Sequence, residues 1–114
     1  MKSWTFTIPG PPVPKARPRR SPHGHWYTPT RTREYEELVA WCAIQAGFQP
    51  SAGEYELRVT IPTGSRGDRD NILKAVMDGL NRLDGFDDRQ IVAFSLSEAE
   101  REDTLVEIRS RSDD

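Results

Sequence analysis

Residues 55–83 read YELRVTIPTGSRGDRDNILKAVMDGLNRL, and within this stretch the spacing of apolar residues changes from strand-like to helix-like. Tyr55, Leu57, Val59 and Ile61 alternate with Glu54, Glu56, Arg58 and Thr60, the pattern of a half-buried strand, which Pro62 ends. Beyond the glycine-containing loop TGSRGDRD, the residues Ile72, Leu73, Val76, Met77, Leu80 and Leu83 recur at helical spacing. Asp70 is placed to cap that helix, and LDGFDD ends it. A strand feeding a helix through a short loop is a building unit of α/β folds.

Upstream, Thr32 is placed to cap a helix with apolar positions Tyr35, Leu38, Val39, Cys42 and Ala46. Glu34, Glu36 and Glu37 lie near its positive end and Gly47 stops it. Trp4, Phe6 and Ile8 alternate with Ser3, Thr5 and Thr7 as a first short strand, closed by Pro9-Gly10-Pro11-Pro12. Downstream, Ile91 to Leu96 and Thr104 to Arg109 read as two strands separated by SEAEREDT, most simply an antiparallel hairpin. The order is therefore β-α-β-α-β-β, and the expected fold is α/β (α+β): a small mixed sheet of about four strands covered by two helices. A chain of 114 residues supports one core, so 1–114 is expected to be a single domain, with a basic, proline-rich loop over 9–31 and a charged tail at 111–114.

Net charge is −2, which by itself argues against a nucleic-acid partner, but the charges are segregated. Residues 1–33 hold Lys2, Lys15, Arg17, Arg19, Arg20, Arg31 and Arg33 and no Asp or Glu; every acidic residue lies from Glu34 onward. Such asymmetry points to a polyanion-binding arm, although a basic stretch is also commonly a solvated surface. No apolar run has the length of a signal peptide's core or a membrane span, so a soluble, cytoplasmic protein without a membrane partner is expected. Cys42 reads as a core residue. His23 and His25 lack the further partners of a zinc site and read as exposed phosphate-contacting residues. Trp26 and Tyr27 can stack on an unpaired base, but packing of the loop onto the body is the expected role.

The chemistry is concentrated in RGDRDNILK, residues 66–74, and in Asp87-Asp88 before the third long strand. Carboxylates from these two places are what a hard cation such as Mg²⁺, with Mn²⁺ as a substitute, requires: oxygen donors, with water and substrate filling the remaining positions. In extended chain Asp68 and Asp70 point the same way, and a third carboxylate from 87–88 can close the site. Lys74 follows Asp70 by four residues on a helix, where its ammonium can reach a phosphate. Phosphodiester hydrolysis needs an activated water and neutralised charge on phosphorus, which metal and lysine together supply without an organic cofactor. Each residue also has a plain structural reading: Asp70 as a cap, Asp87-Asp88 as a polar turn, Asp70 with Lys74 as a helical ion pair. A non-catalytic DNA-binding module, and a protein-interaction domain whose basic loop meets an acidic partner, are the alternatives this leaves.

The order IPGPPVPKARPR, YTPTRTREYE, RDNILKAVMDGLN, FDDRQI resembles the RusA family of Holliday junction resolvases across nearly the whole chain. Its most specific part is Asp68-x-Asp70-Asn71-x-x-Lys74, with Asp88 following. The resemblance implies that Asp68, Asp70 and Asp88 are the Mg²⁺ ligands and Lys74 the catalytic lysine, with Asp87 a neighbour. It implies a homodimer that binds four-way or branched DNA and makes paired symmetric nicks in recombination and repair, with frequent occurrence in phages and prophages. Lys15, Arg17, Arg19 and Arg20 match the family's proline-interrupted basic pattern and read as a phosphate-contacting arm, with Arg66 and Arg69 as further DNA contacts.

Overall fold

The computed structural model describes residues 2–16, 19–27 and 29–111, the side chains of Arg19 and Tyr27 excepted. Arg17, expected in the basic arm, lies outside the described residues, as does the tail from 112 onward. The elements are β1 (Ser3–Ile8), β2 (Arg19–Arg20), β3 (Trp26–Tyr27), α1 (Thr30–Gln45), β4 (Tyr55–Pro62), α2 (Arg69–Leu80), a 3-10 turn (Asp88–Gln90), β5 (Ile91–Ala99) and β6 (Thr104–Ser110). The expected order of long elements is observed as a mixed four-stranded sheet, β1-β6-β4-β5, with two helices.

Alternation does what the sequence pattern requires. Tyr55, Leu57, Val59 and Ile61 are all buried, as are Phe6 and Ile8 of β1 and Val106 and Ile108 of β6. Ile72, Leu73, Val76 and Leu80 of α2 and Tyr35, Val39 and Cys42 of α1 complete the core. Each large side chain removed from water here contributes roughly 1.5–3 kcal/mol. The helices approach closely at Gly79, where an added Cβ would stand 2.6 Å from Val39 Cβ and 3.0 Å from the Glu36 carbonyl oxygen. Arg82 also bridges them, its Nε donating to Glu36 Oε1 at 3.2 Å. Edge-on rings of Trp4, Phe48, Tyr55 and Phe86, with centroids 4.9 Å (Trp4–Phe48), 5.7 Å (Phe48–Tyr55) and 5.9 Å (Phe48–Phe86) apart, close the core at the Tyr55 end.

Four expectations are corrected. The last two strands do not form a hairpin: β5 pairs parallel with β4, and β6 pairs antiparallel with both β4 and β1. The β4-α2-β5 crossover lays β5 beside β4, and residues 100–103 then carry the chain over the end of β4. β6 is the strand apolar enough for the interior position, whereas β5 alternates with exposed Val92 and Phe94 and sits at the edge. Second, Thr32 does not cap α1; the N-cap is Pro29, and Thr32 is buried two residues inside, its Oγ1 accepting from the Ala16 amide at 3.4 Å. Third, the cap of α2 is Asp68, not Asp70. Fourth, the proline-rich loop contains the two-stranded hairpin β2–β3, and Trp26 does not pack on the body but is 70% exposed.

Candidate active site

α2 begins where β4 ends, and polar contacts fix that junction. Ser65 closes the turn through its amide (3.2 Å) and hydroxyl (2.6 Å) to the Pro62 carbonyl. The Gly64 amide donates to Glu98 at 3.3 Å, and Arg69 pairs with the same carboxylate at 2.5 Å, tying the head of α2 to the end of β5. Asp68 is in extended conformation and its Oδ1 accepts from the Asp70 amide at 3.3 Å. The helix thus starts between the two aspartates, so they do not form the extended i, i+2 pair that the sequence suggests; one carboxylate caps the turn that carries the other. Asp68, Asp70, Asn71 and Lys74 are all exposed, and Lys74 makes no ion pair among the described residues, which leaves its ammonium available to an incoming anion.

The first half of the proline-rich segment is docked against this helix head. Pro14 lies so close to Gly67 that a Cβ there would collide with the proline ring, and the glycine's φ of 106° also favours glycine. The Lys15 amide donates to the Asn71 carbonyl at 3.0 Å, and the Lys15 ammonium reaches Asp78 at 2.5 Å. The Asp78 carboxylate raises the lysine pKa, against partial burial and with further attraction from Glu36 and Asp88. Lys15 is therefore an anchored cation at the helix and not a free member of an arm. Arg20 and Arg66 are exposed, as phosphate contacts must be, while Arg69 is held by Glu98; the Arg19 side chain and Arg17 lie outside the described residues.

The geometry separates Asp87 from Asp88. Asp87 caps the 3-10 turn: its Oδ1 accepts from the Arg89 amide at 2.9 Å, and its own amide donates to Gln90 Oε1 at 2.9 Å. The Arg89 guanidinium grips the same carboxylate at 2.8 Å, which with the Arg89 amide lowers its pKa to about 2. Gln90 in turn donates to the Ser51 and Gly53 carbonyls at 2.8 and 2.9 Å, fixing this turn at the Tyr55 end of the sheet. Asp87 is committed to structure. Asp88 makes no ion pair among the described residues and lies within electrostatic reach of Lys15.

Parallel pairing decides how these groups are distributed. Pro62 is level with Ala99 and Tyr55 with Ile91, so the end of β4 and the start of β5 are opposite ends of the pair. Asp68 and Asp70 stand at one end and Asp88 follows the other end of α2, a helix of 12 residues and so about 18 Å long. Among the described residues, no three His, Cys, Asp or Glu side chains gather closely enough to hold a metal ion. The donor chemistry suits Mg²⁺, which is commonly held by one or two carboxylates with water and substrate phosphate completing its shell; what the described residues of one chain do not form is a closed three-carboxylate cage.

Residues 9–110 match the family described as endodeoxyribonuclease RusA. The chain belongs to the RusA family. No curated protein matches it. RusA membership makes this an endonuclease fold of the Holliday junction resolvase type, associated with DNA recombination and repair, and the match covers the docked proline-rich segment, both helices and all of β4, β5 and β6. No helix among the described residues is long and apolar enough to cross a membrane. Sequence reasoning did not single out Asp78, Glu98 or Asp103, which accepts from the Gly10 amide at 3.0 Å. Only Asp78 left a signal: Asp70, Lys74 and Asp78 follow one another at four-residue steps along one face.

Proposed function

We propose that this RusA chain is a Mg²⁺-dependent, structure-selective endonuclease that acts on four-way and other branched DNA as a homodimer, through paired symmetric nicks. The observation that carries the reading is the head of α2: exposed Asp68 and Asp70, with exposed Lys74 one turn on and in no ion pair among the described residues, beside a docked basic segment, in a chain matched by the family over 9–110. Asp68, Asp70 and Asp88 are the residues that would hold the metal, which when bound supplies a Lewis acid and an activated water. Lys74 stabilises the charge that builds on the scissile phosphate. Arg66 and Arg20 hold the flanking backbone, a task that positions DNA without reading its sequence.

Assembly is part of the proposal. One chain leaves Asp88 apart from Asp68 and Asp70, and a two-fold dimer can bring the head of one α2 to the foot of the other. The same axis matches the symmetry of a four-way junction and sets one active centre on each of two equivalent strands.

The test is cleavage of a labelled four-way junction beside linear duplex of the same sequence, with and without Mg²⁺, by wild type and Asp70→Asn. Symmetric nicking by wild type alone, with metal and on the junction, is expected. Binding without cleavage under varied metals would leave a DNA-binding module, and cutting by Asp70→Asn would remove the site assignment.

A further inference from the structure

The β2–β3 hairpin presents a feature that neither the carboxylates nor the phosphate contacts use. Trp26 is 70% exposed, the most exposed of the large apolar side chains among the described residues. An indole in water on a two-residue strand is not there for the core: full burial of a side chain this large would contribute several kcal/mol, and the hairpin forgoes it. Its surroundings are cationic. Trp26 is directly opposite Arg20 in the strand register, Arg19 is the adjacent residue of β2, and no acidic residue occurs before Glu34.

The hairpin is also rooted beside the candidate active site. Ala16 is held by Thr32 and Lys15 by Asn71 and Asp78, while the other stem runs into Pro29, the cap of α1. Arg19 follows Lys15 by four residues, so its Cα lies within roughly 14 Å of Lys15. The hairpin itself is ordered by its tip: Ser21 accepts the His25 amide on its Oγ at 3.1 Å and donates its own amide to the His25 carbonyl at 2.7 Å, with Gly24 in the turn. A short, braced, cationic hairpin ending in an exposed aromatic has the two components of a stacking platform for single-stranded nucleic acid, charge for the backbone and a π-face for the base.

We propose that Trp26 is a base-stacking residue that receives an unpaired or unstacked base of branched DNA, and that it contributes to the preference for branched over linear substrates. Linear duplex offers no such base, so the indole adds affinity only where a branch point frees one. The proposal rests on the branched-DNA reading above, and its test separates the two.

The experiment is binding without Mg²⁺, so that no strand is cut, of a four-way junction and a linear duplex, each carrying 2-aminopurine at or near the crossover position. Wild type is expected to bind the junction more tightly and to change the 2-aminopurine emission there. Failure of wild type to prefer the junction would overturn the branched-DNA reading itself. Given that preference, Trp26→Ala is expected to lower junction affinity by about five- to a hundredfold, the range of one base–aromatic stack, to leave duplex affinity within about twofold, and to abolish the emission change. Trp26→Phe, which keeps a ring, is expected to retain most of both signals. Equal loss on junction and duplex, or no loss on either, would overturn the stacking role.

Discussion

Lys15 and Asp78 form an ion pair of 2.5 Å that ties the proline-rich segment to the third turn of α2, while the Lys15 backbone is bonded to the first turn of the same helix. One residue thereby spans most of the helix that carries Asp70 and Lys74. Asp78→Asn removes the charge and keeps the shape. Because both partners are partly exposed, the expected loss of global stability is about 1 kcal/mol or less, read as a small shift in urea midpoint. The local effect is expected to be larger: faster hydrogen exchange of the Lys15 and Ala16 amides, with those of β4 unchanged. The sign with pH follows from the raised lysine pKa. On the alkaline side the pair's contribution is complete below the ordinary lysine value of 10.5 and is lost as pH rises through the raised one, so wild type is expected to lose this increment in strong alkali and Asp78→Asn to lack it.

Asp87 and Asp88 are adjacent in sequence and different in role. Asp87→Asn is expected to loosen the 3-10 turn and leave Mg²⁺-dependent junction cleavage within a few-fold of wild type, whereas Asp88→Asn is expected to abolish it. Asp87 has its pKa lowered to about 2 from 3.8 by Arg89. Its contribution is therefore present above about pH 4 and is lost as pH falls towards 2; a carboxyl titration of Asp87 by NMR that moves up towards the ordinary value in Arg89→Ala, which loses the guanidinium but keeps the amide, checks the cause.

α1 and α2 approach closely at Gly79, and Gly79→Ala sets two effects against each other. Alanine favours the helix by about 1 kcal/mol over glycine. The new methyl, however, meets Val39 Cβ at 2.6 Å and the Glu36 carbonyl oxygen at 3.0 Å, neither of them the end of a flexible chain. Overpacking of this kind costs about 1–3 kcal/mol. Net destabilisation is expected in urea unfolding, and a stabilised variant would show that the helices can separate without cost.

Much of this fold is legible because its signals are local. The alternation of Tyr55 to Ile61 and the apolar stripe that starts at Ile72 each describe a buried face directly. Tyr55, Leu57, Val59, Ile61, Ile72, Leu73, Val76 and Leu80 are buried, Met77 is partly so, and Leu83, also buried, lies just past the end of α2. Strand order is not local. Whether β6 pairs with β5 or inserts between β1 and β4 depends on which strand can be buried on both edges, and the exposed Val92 and Phe94 against the buried Val106 and Ile108 become decisive only once the sheet is assembled. The candidate site divides the same way. Asp68, Asp70 and Lys74 are one short motif on one helix head, legible as a unit; the Lys15–Asp78 pair joins residues from two distant segments, and composition shows only that Lys15 is basic.

The same non-local fact leads to the sharpest test of assembly. A strand's end and the next strand's start share one end of a sheet only when the two are antiparallel, and β4 and β5 are parallel, so Asp88 stands away from Asp68 and Asp70 along a single chain. If an active centre is shared across a two-fold axis, Asp70→Asn and Asp88→Asn damage different halves of it. Each homodimer is then inactive. In a mixed dimer, one centre collects both lesions and the other collects neither. Unfolding the two variants together and refolding them is therefore expected to restore Mg²⁺-dependent cutting at one of the two strands of a junction, seen as single nicks with little paired resolution. Dimers in which each chain carries its own complete site would stay inactive in every mixture, and a sedimentation measurement on the same sample shows whether mixed dimers formed at all.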